Sequence, residues 1–151
     1  MFHIILHQPE IPQNTGSIGR LCVNNAAKLH LVHPLGFETT DAQVRRAGLD
    51  YWEKLDPTHY ENWPDFLARN PAKRLWFFTT KGTRRHTQVP WAWGDGLVFG
   101  RETEGLPEDL LAAHRDNLVV IPMIGDHHRS LNQAQAAAVG LYEALRQTEN
   151  W

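Results

Sequence analysis

A chain of 151 residues, 42% hydrophobic and 21% charged, has ordinary globular composition and can bury roughly 70% of its unfolded surface. Its net charge of −2, with nine histidines besides, lacks the basic surplus of proteins that hold nucleic acid by bulk electrostatics, so RNA binding would need a local patch. The single cysteine excludes an internal disulfide, and no apolar run reaches the roughly 18 residues that span a bilayer.

The start, Met1-Phe-His-Ile-Ile-Leu-His, reads as a strand over residues 2–7. It is too short for a signal peptide and lacks the basic beginning of one, so a cytoplasmic protein is expected. The rigid turn Gln8-Pro-Glu-Ile-Pro-Gln-Asn-Thr-Gly follows, and Asn14-Thr15 are placed to cap a helix running to about Asn25. On that helix Ser17, Arg20 and Asn24 share a polar face, while Ile18, Leu21, Cys22 and Asn25 lie opposite. Cys22 therefore reads as a small core residue.

A second strand is expected over residues 28–33, then a short basic turn from Asp41 to Gly48 and a helix from Asn62 to Arg69 stopped by Pro71. Residues 74–80, 96–100 and 118–122 supply three more short strands rich in Val, Leu and Phe. Between them, residues 83–95 look like a surface loop, and Pro107-Glu-Asp starts a helix with acids at its positive end. The last helix, from Asn132 to about Gln147, is the longest. Its ladder of Leu131, Ala134, Ala138, Leu141 and Leu145, widened by Ala136, Ala137 and Gly140, suits core packing or close contact between subunits. Alternating strands and helices argue for one α/β domain, residues 1–151, with a mostly parallel sheet covered by helices.

The chemistry is narrowed by what is missing. No Gly-x-Gly-x-x-Gly follows the first strand, and no Gly-Lys-Ser/Thr follows any glycine loop. There is no His-Glu-x-x-His, no cysteine pair and no nucleophile elbow around Ser17 or Ser130, which leaves no expectation of metal or of a serine hydrolase. What remains are three strand-to-helix turns, which a parallel sheet gathers on one edge. They are residues 9–20; Phe99-Gly-Arg-Glu-Thr-Glu-Gly-Leu-Pro107; and Ile121-Pro-Met followed by Arg129-Ser-Leu-Asn132. The second offers two glycines for close backbone approach and the Glu102 carboxylate; it can equally be a tight structural turn. Local basic clusters are Arg45-Arg46, Lys81 with Arg84-Arg85-His86, and His127-His128-Arg129. Each is either an RNA patch or a solvated surface.

Together these segments resemble the SPOUT class of RNA methyltransferases, in its compact TrmL (YibK-like) branch of tRNA ribose 2′-O-methyltransferases. The resemblance covers essentially the whole chain. It runs through the 9–22 motif, Arg45-Arg46-Ala-Gly-Leu-Asp-Tyr51, Thr79-Thr-Lys-Gly82, the 99–107 motif, and Ile121-Pro-Met with Arg129-Ser-Leu-Asn132 and Tyr142-Glu-Ala. It implies a parallel sheet with a C-terminal trefoil knot, S-adenosyl-L-methionine as cofactor, S-adenosyl-L-homocysteine as product, a tRNA partner and a homodimer. Membrane and metal have no part in it. On the matching positions it implies cofactor contacts from Phe78, Thr79, Gly100, Glu102, Ile121, Met123, Ser130 and Leu131. Asn14, Arg20, Ser130 and Asn132 would form the catalytic group around the ribose. Arg20, Arg45, Arg46, Tyr142 and Arg146 would meet the RNA. The implied reaction methylates the ribose of the anticodon wobble nucleotide, cytidine or uridine. A catalytically silent RNA- or adenosine-binding module, or a dimeric interaction protein, are the other readings. The chain departs from the pattern at Gln133-Ala134, where Leu-Ser is usual, and at Arg101 and Glu104.

Overall fold

The computed structural model describes residues 1–40, 42–47, 52–126 and 129–151. The expected ends of the basic turn, Asp41 and Gly48, and the pair His127-His128 lie outside them.

Seven parallel strands form one sheet in the order β3-β2-β1-β6-β4-β7-β5. They are β1 (His3–His7), β2 (Lys28–Val32), β3 (Thr58–Tyr60), β4 (Arg74–Phe78), β5 (Arg84–Arg85), β6 (Asp95–Phe99) and β7 (Leu118–Val120). The helices are α1 (Pro12–Asn24), α2 (Ala42–Ala47), α3 (Trp52–Leu55), α4 (Trp63–Arg69), α5 (Glu108–Ala113) and α6 (Gln133–Glu149). Among the described residues, no helix is long and apolar enough to cross a membrane.

The central strands are apolar through their middles because each divides its side chains between two cores. Ile4, Leu6, Trp76, Phe78, Leu97 and Phe99 point to one cluster, with Ile18 and Cys22 of α1 and Leu141 and Leu145 of α6. Ile5, Leu75, Phe77 and Val98 point to the other, with Phe66 of α4 and Leu110 and Leu111 of α5. Cys22 is the core residue its pattern predicts; burial pushes its thiol up to about 12. On the α4 side, β1, β2 and β3 are also joined by a polar chain. His3 Nδ1 lies 2.9 Å from His30 Nε2, and His30 Nδ1 lies 2.9 Å from the Tyr60 hydroxyl.

Several expectations need correction. The first helix begins two residues before Asn14, at Pro12, with Ile11 as its N-cap. Proline suits a first helical position because its missing N–H has no partner there anyway. Asn14 and Thr15 are therefore buried inside the first turn. The buried stripe of α6 is Gln133, Ala137, Gly140, Leu141, Ala144 and Leu145, rotated from the predicted ladder so that Leu131 is exposed and Ala134 and Ala138 are only partly covered. Residues 83–95 are not simply a loop. They hold β5 and a 3-10 turn, His86–Gln88, and they bury Val89 and Trp91. Neither β5 nor β3 is long enough to show a period.

Candidate active site

Because every strand runs the same way, the turns leaving β1, β4, β6 and β7 emerge along one edge of the sheet. There they enclose a cavity of about 440 Å³, within the range of small-molecule sites. All eight predicted cofactor residues line it: Phe78, Thr79, Gly100, Glu102, Ile121, Met123, Ser130 and Leu131. Asn14 and Asn132 line it too. Arg20 does not: it is exposed on α1, six residues past Asn14, or about 9 Å along the helix. Arg45, Arg46, Tyr142 and Arg146 are exposed outside the cavity. Arg146 is held by Glu143 through two bonds of 2.9 Å. Tyr142 stands about half exposed with its ring 6.4 Å from that of Trp151, rather than buried.

The loop after β6 is shaped by its glycines. Arg101 and Gly105 exchange backbone bonds of 3.2 and 2.9 Å, closing a tight hairpin in which Gly105 takes φ +70°. A Cβ on Gly100 would fall 2.2 Å from the Gly105 carbonyl carbon. No other residue fits there, so the backbone itself forms that wall. Behind it Phe78 and Phe99 stack with centroids 4.6 Å apart, giving a rigid apolar floor.

This hairpin is bolted to the turn after β1, some ninety residues away in sequence. Glu102 accepts from the backbone N–H of Glu10 at 2.8 Å and of Ile11 at 3.0 Å, just where α1 begins. It thus caps that helix from a distant loop, at the positive end of its dipole. Asn14 Nδ2 donates weakly to the same carboxylate at 3.5 Å. In return Thr103 Oγ1 donates to Glu10 Oε1 at 2.7 Å, and the Arg101 guanidinium donates to Gln8 Oε1. Arg101 also approaches Glu104 at 3.6 Å, so the two departures from the family pattern form an ion pair with each other.

The chain of amides continues into α6. Asn132 Nδ2 donates to Asn14 Oδ1 at 2.9 Å, while Asn132 Oδ1 accepts from Ala134 N at 2.9 Å and from Gln135 N at 3.4 Å. Asn132 is the N-cap of α6, as the sequence predicts. Each amide in the relay Glu102–Asn14–Asn132 can face only one way. Gln133 was not among the predicted site residues, yet its Nε2 donates to the Gly100 carbonyl at 2.7 Å and ties α6 to the hairpin. A buried polar residue on the first turn of an apolar helix was the available signal.

The residues present fit a nucleoside-bearing ligand. Phe78, Ile121 and Leu131 offer apolar walls and Gly100 bare backbone, while Ser130 places an exposed hydroxyl at the rim. Among the described residues, no group of three or more His, Cys, Asp or Glu is placed to hold a metal ion.

Residues 1–142 match the SpoU rRNA Methylase family. The chain is 49% identical over 148 residues to a tRNA (cytidine(34)-2'-O)-methyltransferase of Saccharophagus degradans, spanning 97% of this chain and 96% of the relative. A solved structure on the 2-OH methylation of C/U34 on tRNA superimposes with a TM-score of 0.94 at 40% identity, covering 100% of this chain and 98% of the other. An AdoMet-bound rRNA methyltransferase from Sinorhizobium meliloti superimposes with a TM-score of 0.84 at 25% identity, over 96% of this chain and 56% of its own.

Proposed function

As the chain belongs to the SpoU rRNA Methylase family, we propose that it transfers a methyl group from S-adenosyl-L-methionine to the ribose 2′-oxygen of tRNA, at the cytidine or uridine of the wobble position. The observation that carries this reading is the convergence of four turns, distant in sequence, on one cavity lined by all the predicted cofactor residues. The whole chain acts as one methyltransferase domain, its C-terminal part threaded as a trefoil knot, and its substrate places it in the cytoplasm.

When bound, the donor supplies a methyl already activated on a sulfonium, so the protein's task is alignment and the handling of one proton. The 2′-oxygen bonds to the methyl carbon as the sulfur–carbon bond breaks, leaving S-adenosyl-L-homocysteine. Phe78, Thr79, Gly100, Glu102, Ile121, Met123, Ser130 and Leu131 form the donor's pocket. Ser130, whose hydroxyl is exposed at the rim, orients the ribose. Both polar ends of Asn132 are engaged by Asn14 and the start of α6, so Asn132 positions Asn14 and the last helix rather than gripping the sugar.

Arg20 stabilises the charge developing on the 2′-oxygen. Deprotonating a guanidinium at pH 7 costs roughly 7 kcal/mol, so the proton leaves to water or an RNA phosphate. Arg20 lies off the cavity of its own subunit and acts where two subunits and the RNA meet. A homodimer is supported by the outward stripe of α6, where Val139 and Tyr142 are 39% and 49% exposed, with Leu131 at 39% beside its start. Arg45, Arg46, Tyr142 and Arg146 extend the RNA surface.

The test is transfer of labelled methyl to unmodified tRNA, followed by nucleoside mass spectrometry. A 2′-O-methylated wobble nucleotide is expected. Cofactor binding with no transfer to any tRNA would overturn the assignment in favour of a silent binding module.

A further inference from the structure

A second cleft, of about 420 Å³, opens on the sheet edge formed by β5 and the start of β7, lined by Thr83, Arg84, Gln88, Arg115, Asp116 and Leu118. Its donors outnumber its acceptors. Arg84 and Arg115 bring guanidinium groups and Thr83 a hydroxyl. Gln88 turns its carbonyl to the backbone N–H of Arg85 at 3.1 Å, which leaves its amide N–H groups as donors. Asp116 is the single carboxylate in the lining.

Some guanidinium groups of the fold are already committed to carboxylates. Arg69, Arg74, Arg101 and Arg146 each have a carboxylate within 4.0 Å. Among the described residues, Arg84 and Arg115 have none, although Asp116 adjoins one of them. Arg84 sits instead over the Trp76 ring, with its guanidinium carbon 5.4 Å from the ring centroid, a cation–π contact at the cleft wall. Arg115 stands on a 3-10 turn, Arg115–Asn117, anchored to β4 by Asn117 Nδ2 donating to the Leu75 carbonyl at 2.9 Å. One guanidinium seated over an aromatic ring, a second on an anchored turn and three uncharged donors suit an anion with several oxygens.

The cleft adjoins the active-site cavity. Thr79, Thr80 and Lys81 line the cavity, and after one glycine Thr83 and Arg84 line the cleft. Leu118, at the start of β7, lines the cleft and Ile121, just past its end, lines the cavity, three residues or about 10 Å apart in extended chain.

We propose that the Arg84–Arg115 cleft binds a backbone phosphodiester of the RNA substrate, close to the ribose that is methylated. This rests on the functional reading above and adds a substrate contact to it. It also gives a chain of net charge −2 a local foothold on RNA. The cleft holds the strand and takes no part in methyl transfer.

The experiment uses the full chain and unmodified tRNA. Arg84→Gln/Arg115→Gln is compared with Lys28→Gln/Arg69→Gln, which makes the same charge change on the β2–β3 side of the sheet. The cleft variant should bind tRNA on the order of tenfold to thirtyfold more weakly at 0.1 M salt. Its log–log salt slope should fall by about 0.7, the value for one single-strand phosphate contact. KM for tRNA should rise while kcat and S-adenosyl-L-homocysteine affinity stay as in the wild type. Arg84→Lys should restore most of the slope, and the single Arg115→Gln at an exposed turn guards against misfolding of the double variant. A cleft variant with wild-type slope and KM, or a control pair that loses as much, overturns the proposal while leaving methyl transfer intact. A wild-type protein that neither binds nor methylates tRNA overturns the functional reading and this inference with it.

Discussion

Removing the Glu102 carboxylate tests whether the site is held by loops gripping one another. In Glu102→Ala the backbone N–H groups of Glu10 and Ile11, now bonded at 2.8 and 3.0 Å, lose a charged acceptor at the start of α1. Hydrogen bonds to a charged group contribute about 1.5–3 kcal/mol each, so the two set a ceiling of about 6 kcal/mol. Glu102 is only partly buried and water can re-solvate the freed donors, which brings the expected loss to about 2–4 kcal/mol. For a chain of this size that is roughly 5–15 °C in Tm. Asn14 also loses the partner that sets its amide orientation, so single-turnover methyl transfer should fall more than cofactor affinity does. Glu102→Gln, which keeps an acceptor but no charge, should lose about half as much. Urea unfolding, titration with S-adenosyl-L-homocysteine and single-turnover kinetics measure the three effects. An alanine variant within about 0.5 kcal/mol of wild type, with normal turnover, would refute the reasoning.

Gly140→Ala places a Cβ 2.7 Å from the Phe78 ring and 3.1 Å from Leu97. Overpacking should destabilise by about 1–3 kcal/mol and weaken cofactor binding, whereas helix propensity alone predicts a gain of about 1 kcal/mol, so the sign of the change in urea midpoint decides. Burial pushes His30 down to about 3, from 6.5 when unfolded. The unfolded chain therefore takes up a proton that the folded one refuses, and stability fully present above pH 6.5 is lost as pH falls toward 3. Between pH 7.5 and 5.0 His30→Gln should show about 2 kcal/mol less loss than wild type; equal slopes would show that His30 does not control the acid limb. Arg20→Lys should slow methyl transfer on the order of a hundredfold with folding and cofactor affinity unchanged; near-full turnover would remove the specific guanidinium role.

What could be read from the sequence was whatever is local. Five apolar runs bounded by Gly or Pro marked β1, β2, β4, β6 and β7, because burial on both faces demands an apolar stretch. Asn62 and Asn132 were legible as caps because a capping side chain serves its own helix. The start of α1 was not legible, because its capping carboxylate, Glu102, arrives from another loop. The short strands β5, Arg-Arg, and β3, Thr-His-Tyr, carry no apolar run and exist because an existing edge offers them partners.

The sequence by itself determined the alternation of strand and helix, the glycines that only a hairpin at 100–105 needs, and the eight expected cofactor residues that line the cavity. Only the tertiary structure decided that Glu102 serves a helix ninety residues earlier and that Gln133 belongs to the site. It also decided that Arg20 stands off the cavity, and that Arg84 and Arg115 share one cleft. The reason is physical: propensity and periodicity depend on neighbours in the chain. A hydrogen bond between loops depends on which strand ends the sheet brings to the same edge.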